Sequence, residues 1–172
     1  MTYKNDYLIV VPFFNEESTL KTLHKDLFFF KKNLIFINDN SSDNGVNYLT
    51  KFKILNNKKN IGYEKSLLKG FKYAKENNFK YVISFDADNQ HRVSDLKKII
   101  RLLKKNNYDL IIGNRNFYNR LVEYFINYFF YKKYEIKDIL SGLKAYNLKL
   151  MNLHPKNYLN NTSGMKFVLT LL

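Results

Sequence analysis

An α/β fold with a mainly parallel central sheet and helices on both faces is predicted by three observations. Short apolar runs rich in β-formers recur through the first two-thirds of the 172 residues. Segments with apolar residues at helical spacing lie between them, and that alternation builds parallel sheets. Polar clusters follow the apolar runs. In a parallel sheet the strand ends they mark share one edge, where open α/β folds bind ligands.

Tyr7-Leu8-Ile9-Val10-Val11 reads as a buried first strand, stopped by Pro12. Phe13-Phe14-Asn15-Glu16-Glu17 forms a turn, and Ser18 is the expected N-cap of a helix carrying Leu20, Leu23, Leu27 and Phe30. Leu34-Ile35-Phe36-Ile37 is a second buried strand, ending in Asn38-Asp39-Asn40-Ser41-Ser42-Asp43. Asn44-Gly45 breaks the chain, and a short helix precedes a third strand, Phe52-Lys53-Ile54-Leu55. Asn60-Ile61-Gly62 is another turn. The helix after it sets Leu67, Leu68, Phe71 and Ala74 on one face and Lys65, Lys69, Lys72 and Lys75 on the other. Tyr81-Val82-Ile83-Ser84-Phe85 is the fourth strand. Val93, Leu96, Ile99, Ile100 and Leu103 mark a further amphipathic helix, and Asp109-Leu110-Ile111-Ile112-Gly113 a fifth short strand.

The absence of cysteine excludes disulfides, thiolate metal sites and cysteine nucleophiles. A net charge of +14 raises the question of a nucleic-acid partner. The basic residues are 25 Lys and only 4 Arg, however, spread along the chain and often on the outer faces of predicted helices. No nucleic acid is expected. A positive surface suits nucleotide phosphates or an acidic membrane instead. The run Tyr7–Phe14 is too short to span a bilayer and contains Pro12. Neither a signal peptide nor a spanning segment is read, so a cytoplasmic location is expected, with the inner face of the membrane within reach.

The most informative stretch is Asp86-Ala87-Asp88-Asn89-Gln90-His91, just past the fourth strand. An i, i+2 spacing points two carboxylates the same way on an extended chain. They repel unless a cation lies between them. Hard divalent ions such as Mg²⁺ or Mn²⁺ take oxygen ligands and keep waters and substrate phosphates in their shell. By itself D-x-D also fits a solvated acidic turn. Phe14-Asn15-Glu16, Asn38-Asp39-Asn40 and Asn60-Ile61-Gly62 also follow predicted strands. Four clusters on one edge describe a site for a polyanion and a polar ring.

These motifs resemble those of the family 2 glycosyltransferases, which have the GT-A nucleotide-diphospho-sugar fold. The likeness is greatest to the branch of dolichyl-phosphate mannosyltransferase and the bacterial polyprenyl-phosphate sugar transferases. Val11-Pro12-Phe13-Phe14-Asn15-Glu16-Glu17 resembles the opening V-P-x-[YF]-N-E-E, and Ile37-Asn38-Asp39-Asn40-Ser41-Ser42-Asp43 resembles V-D-D-G-S-x-D. Asn60-Ile61-Gly62 matches N-x-G, with Gly70 and Ala74 as the small residues that follow. Asp86 to His91 matches D-A-D-x-Q-H. Gly113-Asn114-Arg115 resembles G-x-R, and Asp138-Ile139-Leu140-Ser141-Gly142-Leu143-Lys144-Ala145-Tyr146 resembles D-x-x-S-G-F-[RK]-A-Y. Each motif is weak alone; six in order are specific.

The resemblance implies an inverting, metal-dependent glycosyltransferase that moves a sugar from a nucleotide-diphospho-sugar to a polyprenyl phosphate. The alternatives are transfer to a sugar hydroxyl of a glycan and an inactive nucleotide-sugar binding module. It also implies roles. Pro12, Phe14 and Glu16 would line the nucleotide pocket, Asn60, Gly62 and Asp86 would also bind the nucleotide, and Asp39 would hydrogen-bond the base. Asp86 and Asp88 would hold Mg²⁺ or Mn²⁺ on the diphosphate. Gln90 would face sugar or acceptor, Arg115 and Lys144 would offer charge to a phosphate, and Asp138 would sit near the acceptor. His91 reads as a turn or capping residue. Asn38 departs from the family's first Asp and Leu143 from its Phe. Gly164-Met165-Lys166-Phe167 resembles the start of the family's next helix, and the chain stops at Leu172 where the family usually continues. One GT-A-like catalytic domain over 1–172, truncated at its C-terminus, is expected.

From Tyr118 to Tyr131, Leu121, Val122, Phe125, Ile126 and Phe129 form an apolar stripe flanked by Tyr124, Tyr128 and Tyr131, with Lys132-Lys133 behind it. This composition suits a helix in a membrane interface or one buried against the sheet or a missing C-terminal part. A haloacid-dehalogenase-like phosphatase also ends a strand in D-x-D, but wants Thr or Val where this chain has Asn89-Gln90-His91.

Overall fold

The computed structural model describes residues 5–88, 90–105, 107–115 and 120–149. Asn89, Tyr118 and Gly164–Phe167 of the motifs above lie outside them. Six strands form one sheet: β1 (Asn5–Phe13), β2 (Leu34–Asn38), β3 (Lys53–Asn56), β4 (Phe79–Ser84), β5 (Leu110–Ile112) and β6 (Lys144–Asn147). The helices are α1 (Glu17–Leu27), α2 (Tyr63–Glu76), α3 (Val93–Lys105) and α4 (Leu121–Tyr134). The strand order is β3-β2-β1-β4-β6-β5. The pairs among β1 to β4 are parallel, and β6 runs antiparallel to both β4 and β5.

Alternation along the buried strands sorts side chains between two cores. Ile9, Val11 and Phe13 of β1 join Tyr81 and Ile83 of β4 under α1 and α3. Leu8 and Val10 join Val82, Ile35 and Ile37 under α2. The predicted helical residues do this packing: Leu20, Leu23 and Leu27 from α1, Leu96, Ile99, Ile100 and Leu103 from α3, Leu67, Phe71 and Ala74 from α2. Helices therefore cover both faces and leave the edge at the carboxyl ends of the strands open.

Four details differ from expectation. β1 runs through Pro12 to Phe13. Phe13 O accepts Asp39 N on the β2 side, so Pro12 N faces the β4 side, where strand pairing ends at Val10 opposite Ser84. The missing N–H therefore costs no ladder bond. Ser18 is not the N-cap of α1; the cap is Glu16, and the helix-end N–H of Glu17 is taken by Asp43 Oδ2 at 2.7 Å. The helix also stops at Leu27, and Phe30 is buried from a 3-10 helix, Phe28–Asn33. Strand β6 was not anticipated, because Lys144-Ala145-Tyr146-Asn147 carries polar residues at buried positions.

Candidate active site

The four polar clusters lie along the carboxyl edge of the parallel strands. A cavity of about 240 Å³ opens there, walled by Pro12, Phe13 and Phe14 on one side and by Asp86, Ala87 and Asp88 on the other. Asp39, Glu16, Tyr63 and Ser66 complete the lining. Phe14 is exposed beside the cavity and leaves aromatic surface available to a planar ligand. The edge is shaped by two asparagines in the left-handed region, Asn15 (φ 54°) and Asn40 (φ 64°), which turn the chain away at the ends of β1 and β2. Asn15 ties the two turns together by accepting Ser42 N at 2.8 Å, while its own N–H donates to Ser41 Oγ at 3.1 Å.

Asp39 is buried and shapes the next turn. Its carboxylate accepts Ile61 N at 2.9 Å, Gly62 N at 2.8 Å and Asn57 Nδ2 at 2.8 Å. Burial alone would raise its pKa, but these hydrogen bonds outweigh that and hold it below the usual value. Gly62 needs its freedom here, for it caps α2 at φ 88°. Asn60 accepts Gly62 N at 3.2 Å and stays exposed. Asn60 and Gly62 thus form the turn beside the cavity rather than its lining. Glu16 points at the cavity edge and accepts Thr19 Oγ1 at 2.6 Å.

At the other end of the cavity Asp86 sits in the cleft floor. Tyr63 Oη donates to its Oδ1 at 2.6 Å, and Gly142 packs directly against its carboxylate. Burial raises the Asp86 pKa, the Tyr63 hydrogen bond opposes this, and the charge of Asp88 raises it further. Asp88 is exposed and accepts Gln90 N at 3.0 Å. Two neighbouring carboxylates, one strained by desolvation and repulsion, are the donor set a hard divalent cation relieves. Among the described residues no cluster of three metal-ligating side chains exists. Such an ion would therefore need oxygens from a ligand or water to fill its shell, as a diphosphate supplies.

The basic residues stand behind this pair. Lys144 is buried, and desolvation pulls its pKa down to about 8 against the raising fields of Asp86 and Asp138. Its Nζ donates to Ser141 O. Arg115 reaches Gln90 Oε1 at 3.1 Å and is gripped by Asp138, which accepts Nε at 2.9 Å, Nη2 at 3.0 Å and the Arg115 backbone N–H at 3.0 Å. Asp138 is fully buried. Desolvation would raise its pKa, but the Arg115 and Asn127 contacts prevail and leave it below normal. The structure therefore joins Gln90, Arg115 and Asp138 in one chain of contacts beside the D-x-D pair.

Several site-forming residues were missed by sequence reasoning. Tyr63 carries no motif signal beyond its place after N-x-G. Ser84 Oγ donates to Gly142 O at 2.7 Å and pins the 141–143 segment to β4. His91, expected as a turn or capping residue, is buried in its bend, bonded through Nε2 to Ser141 Oγ at 2.9 Å, and its pKa is lowered chiefly by burial. It fastens the D-x-D loop to the 141–143 segment.

Helix α4, expected either in a membrane interface or buried, has its apolar side chains on two faces. Its inward face is Glu123, Ile126, Asn127, Phe130 and Tyr134, and Ile126 and Phe130 pack on the α2-side core. Of the sequence stripe only Ile126 turns inward: Leu121 is 80% exposed, Phe125 75% and Phe129 60%. No helix among the described residues is long and apolar enough to cross a membrane.

Comparison with known proteins places these observations. The sequence model of the family described as Glycosyl transferase family 2 matches residues 8–165. Two uncharacterized proteins of Methanocaldococcus jannaschii are similar: one is 31% identical over 119 residues, covering 64% of this chain and 52% of its own length. The other is 30% identical over 162 residues, covering 84% and 65% respectively. The chain thus spans between half and two-thirds of these relatives. Among solved structures, glucosyl-3-phosphoglycerate synthase from Mycobacterium tuberculosis in complex with Mn²⁺ and UDP-glucose superposes with a TM-score of 0.67 at 17% identity, over 86% of this chain and 58% of that one. Mannose-1-phosphate geranyltransferase from Thermus thermophilus gives 0.57 at 10% identity, over 90% and 61%. The fold is accordingly GT-A.

Proposed function

We propose, since the chain belongs to glycosyl transferase family 2, that it transfers a sugar from a nucleotide-diphospho-sugar to an acceptor phosphate, with inversion and with Mn²⁺ or Mg²⁺ bound at Asp86 and Asp88. The observation that carries this reading is the single cleft lined by Pro12, Phe14, Glu16 and Asp39 at one end and by Asp86 and Asp88 at the other. A nucleoside fits the first end and a diphosphate the second. The Mycobacterium tuberculosis synthase crystallised with Mn²⁺ and UDP-glucose supports the metal and the donor class.

Pro12 and Phe14 wall the base, and Glu16 and Asp39 meet its polar edge. A bound divalent ion supplies Lewis-acid stabilisation of the charge that grows on the leaving diphosphate. The acceptor oxygen bonds to the anomeric carbon as the carbon–oxygen bond to the diphosphate breaks, and that electron pair leaves with the diphosphate. Gln90 faces the reacting sugar, while Arg115 and Lys144 present positive charge to the phosphates. Asp138 acts by holding Arg115. Its oxygens are occupied and its proton affinity is low, so it is poorly suited to take a proton from a hydroxyl. An acceptor that is already ionised needs no such base. Polyprenyl phosphate is the favoured acceptor, because the exposed apolar face of α4 and the basic Lys132-Lys133 end give a lipid surface a place to rest on the helix whose inward face packs at Arg115 and Asp138. The GT-A fold would then act at the inner membrane face.

A thermal-shift panel of UDP, GDP, CDP and dTDP, each with and without Mn²⁺, tests the donor half. One nucleotide should stabilise the chain more with metal than without, and Asp88→Ala should remove that metal-dependent part. A metal-dependent shift that survives in Asp88→Ala refutes the assignment. Transfer to polyprenyl phosphate by the same preparation tests the acceptor half; donor binding without any transfer would make the chain a nucleotide-sugar binding module.

A further inference from the structure

Helix α4 is built inside out. Its one fully buried side chain is Asn127, a polar residue, while most of its large apolar residues are exposed. Asn127 lies under the helix where α4 meets the catalytic edge. Its Nδ2 donates to Asp138 Oδ1 at 3.3 Å, and its Oδ1 accepts the backbone N–H of Ile139 at 3.0 Å. One turn earlier Glu123 Oε2 stands 3.2 Å from Arg115 Nη2. A buried amide with both ends engaged is costly to leave unpaired, so its position is tightly defined. Both of its partners belong to the segment that grips Arg115.

We infer that Asn127 is a positioning residue for the transfer reaction: it donates to Asp138 Oδ1, the same oxygen that accepts Arg115 Nη2, and so holds the carboxylate with both oxygens on the guanidinium, which reaches Gln90 beside the D-x-D loop. Two features make this more than a local packing contact. The Asp138–Ile139 backbone step is clamped at its side chain and at the following N–H by the same amide. Arg115 in turn spans Asp138, Glu123 and Gln90. The donor-binding end of the cleft is built by Pro12, Phe14 and Asp39, at the ends of β1 and β2 and outside this chain of contacts. Loss of Asn127 should therefore loosen the Arg115 end and spare nucleotide binding. The kinetic part of the inference rests on the proposed transfer function; the structural part does not.

The test compares Asn127→Leu with the unaltered chain. Leucine has a similar volume and suits a helix, so it removes both hydrogen bonds without leaving a hole. The chain has only four arginines, so the Arg115 Nε–H resonance can be assigned in a ¹H–¹⁵N spectrum by its disappearance in Arg115→Lys. In the unaltered protein this proton should be protected from solvent exchange by Asp138. In Asn127→Leu its protection should fall at least about ten-fold, and kcat for transfer should fall about 10–100-fold, the range seen when the partners that orient a functional side chain are removed. The donor KM and the Mn²⁺-dependent thermal shift should stay within about two-fold. Unchanged Arg115 protection with unchanged kcat overturns the inference. Asn127→Ala is the second variant: if both variants lose the fold, Asn127 is a structural residue and the positioning role is wrong. If the unaltered chain transfers no sugar, the proposed function fails, and the Arg115 resonance still judges Asn127 independently.

Discussion

Gly142→Ala is a sharp test of the metal-site geometry. A Cβ added at Gly142 would stand 2.6 Å from Asp86 Oδ1 and closer still to Oδ2 and Cγ. Non-bonded heavy atoms rest at about 3.5 Å or more, so Oδ1 would have to retreat by about 0.9 Å and Oδ2 by more. The segment carrying Gly142 cannot easily yield instead, because Ser84 Oγ holds Gly142 O at 2.7 Å and Gly113 N holds Leu143 O at 2.8 Å. Oxygen ligands to Mg²⁺ sit at about 2.0–2.1 Å, with a tolerance of about 0.2 Å in a workable site. The displacement exceeds that tolerance several-fold, and Asp86 should drop out of the coordination shell. A ligand at 100-fold its Kd stabilises by about 2.7 kcal/mol, and a ten-fold weaker Kd leaves about 1.4 kcal/mol. For a domain of this size the lost ~1.3 kcal/mol corresponds to about 3–5 °C of Tm shift. The assay is nucleoside-diphosphate stabilisation with and without Mn²⁺: the metal-dependent increment should shrink by that amount while the metal-free part persists. An intact Mn²⁺ increment in Gly142→Ala would show that Asp86 does not ligate the ion.

Other variants probe the rest of the edge. Asp39→Ala leaves the Ile61 and Gly62 N–H groups and the Asn57 amide without their acceptor, and should cost about 1–3 kcal/mol in urea unfolding along with most nucleotide affinity; an unchanged midpoint would mean the turn stands without it. The Asp138 pKa is lower in the folded chain than the unfolded value of about 3.9. Its contribution is therefore complete above that value and fades as pH falls through the folded pKa. Asp138→Asn should lose stability at neutral pH and show a flatter decline in Tm as pH falls below about 4; identical acid profiles would contradict the ion pair. The double change of Phe125 and Phe129 to Ser should weaken binding to anionic liposomes while leaving Tm unchanged within a few degrees, and salt should weaken binding of the unaltered chain; a collapsed fold would assign those rings to packing.

The amino-acid sequence by itself determined the order of the first five strands and the helices between them, and the edge on which the site stands. That information is local. A buried parallel strand is a continuous run of large apolar residues such as Leu34 to Ile37, an amphipathic helix repeats as Leu96, Ile99, Ile100 and Leu103 do, and the polar residues after each strand can point only to the strand ends. Contacts between residues distant in sequence were decided by the tertiary structure. Strand β6 is recognisable only because β4 and β5 flank it and because Lys144 and Asn147 find charges and donors in their buried positions. Tyr63 meets Asp86, and His91 meets Ser141, only after the sheet brings their loops together. The inward face of α4 was hidden for the same reason. Periodicity counts apolar residues and selected Leu121, Val122, Phe125, Ile126 and Phe129, of which Ile126 packs inward, whereas the fold buried Asn127 because Asp138 and the Ile139 N–H lie beneath it. Hydrophobic patterning reports the transfer of side chains from water; it carries no information about a polar group whose burial is compensated by a partner elsewhere in the chain.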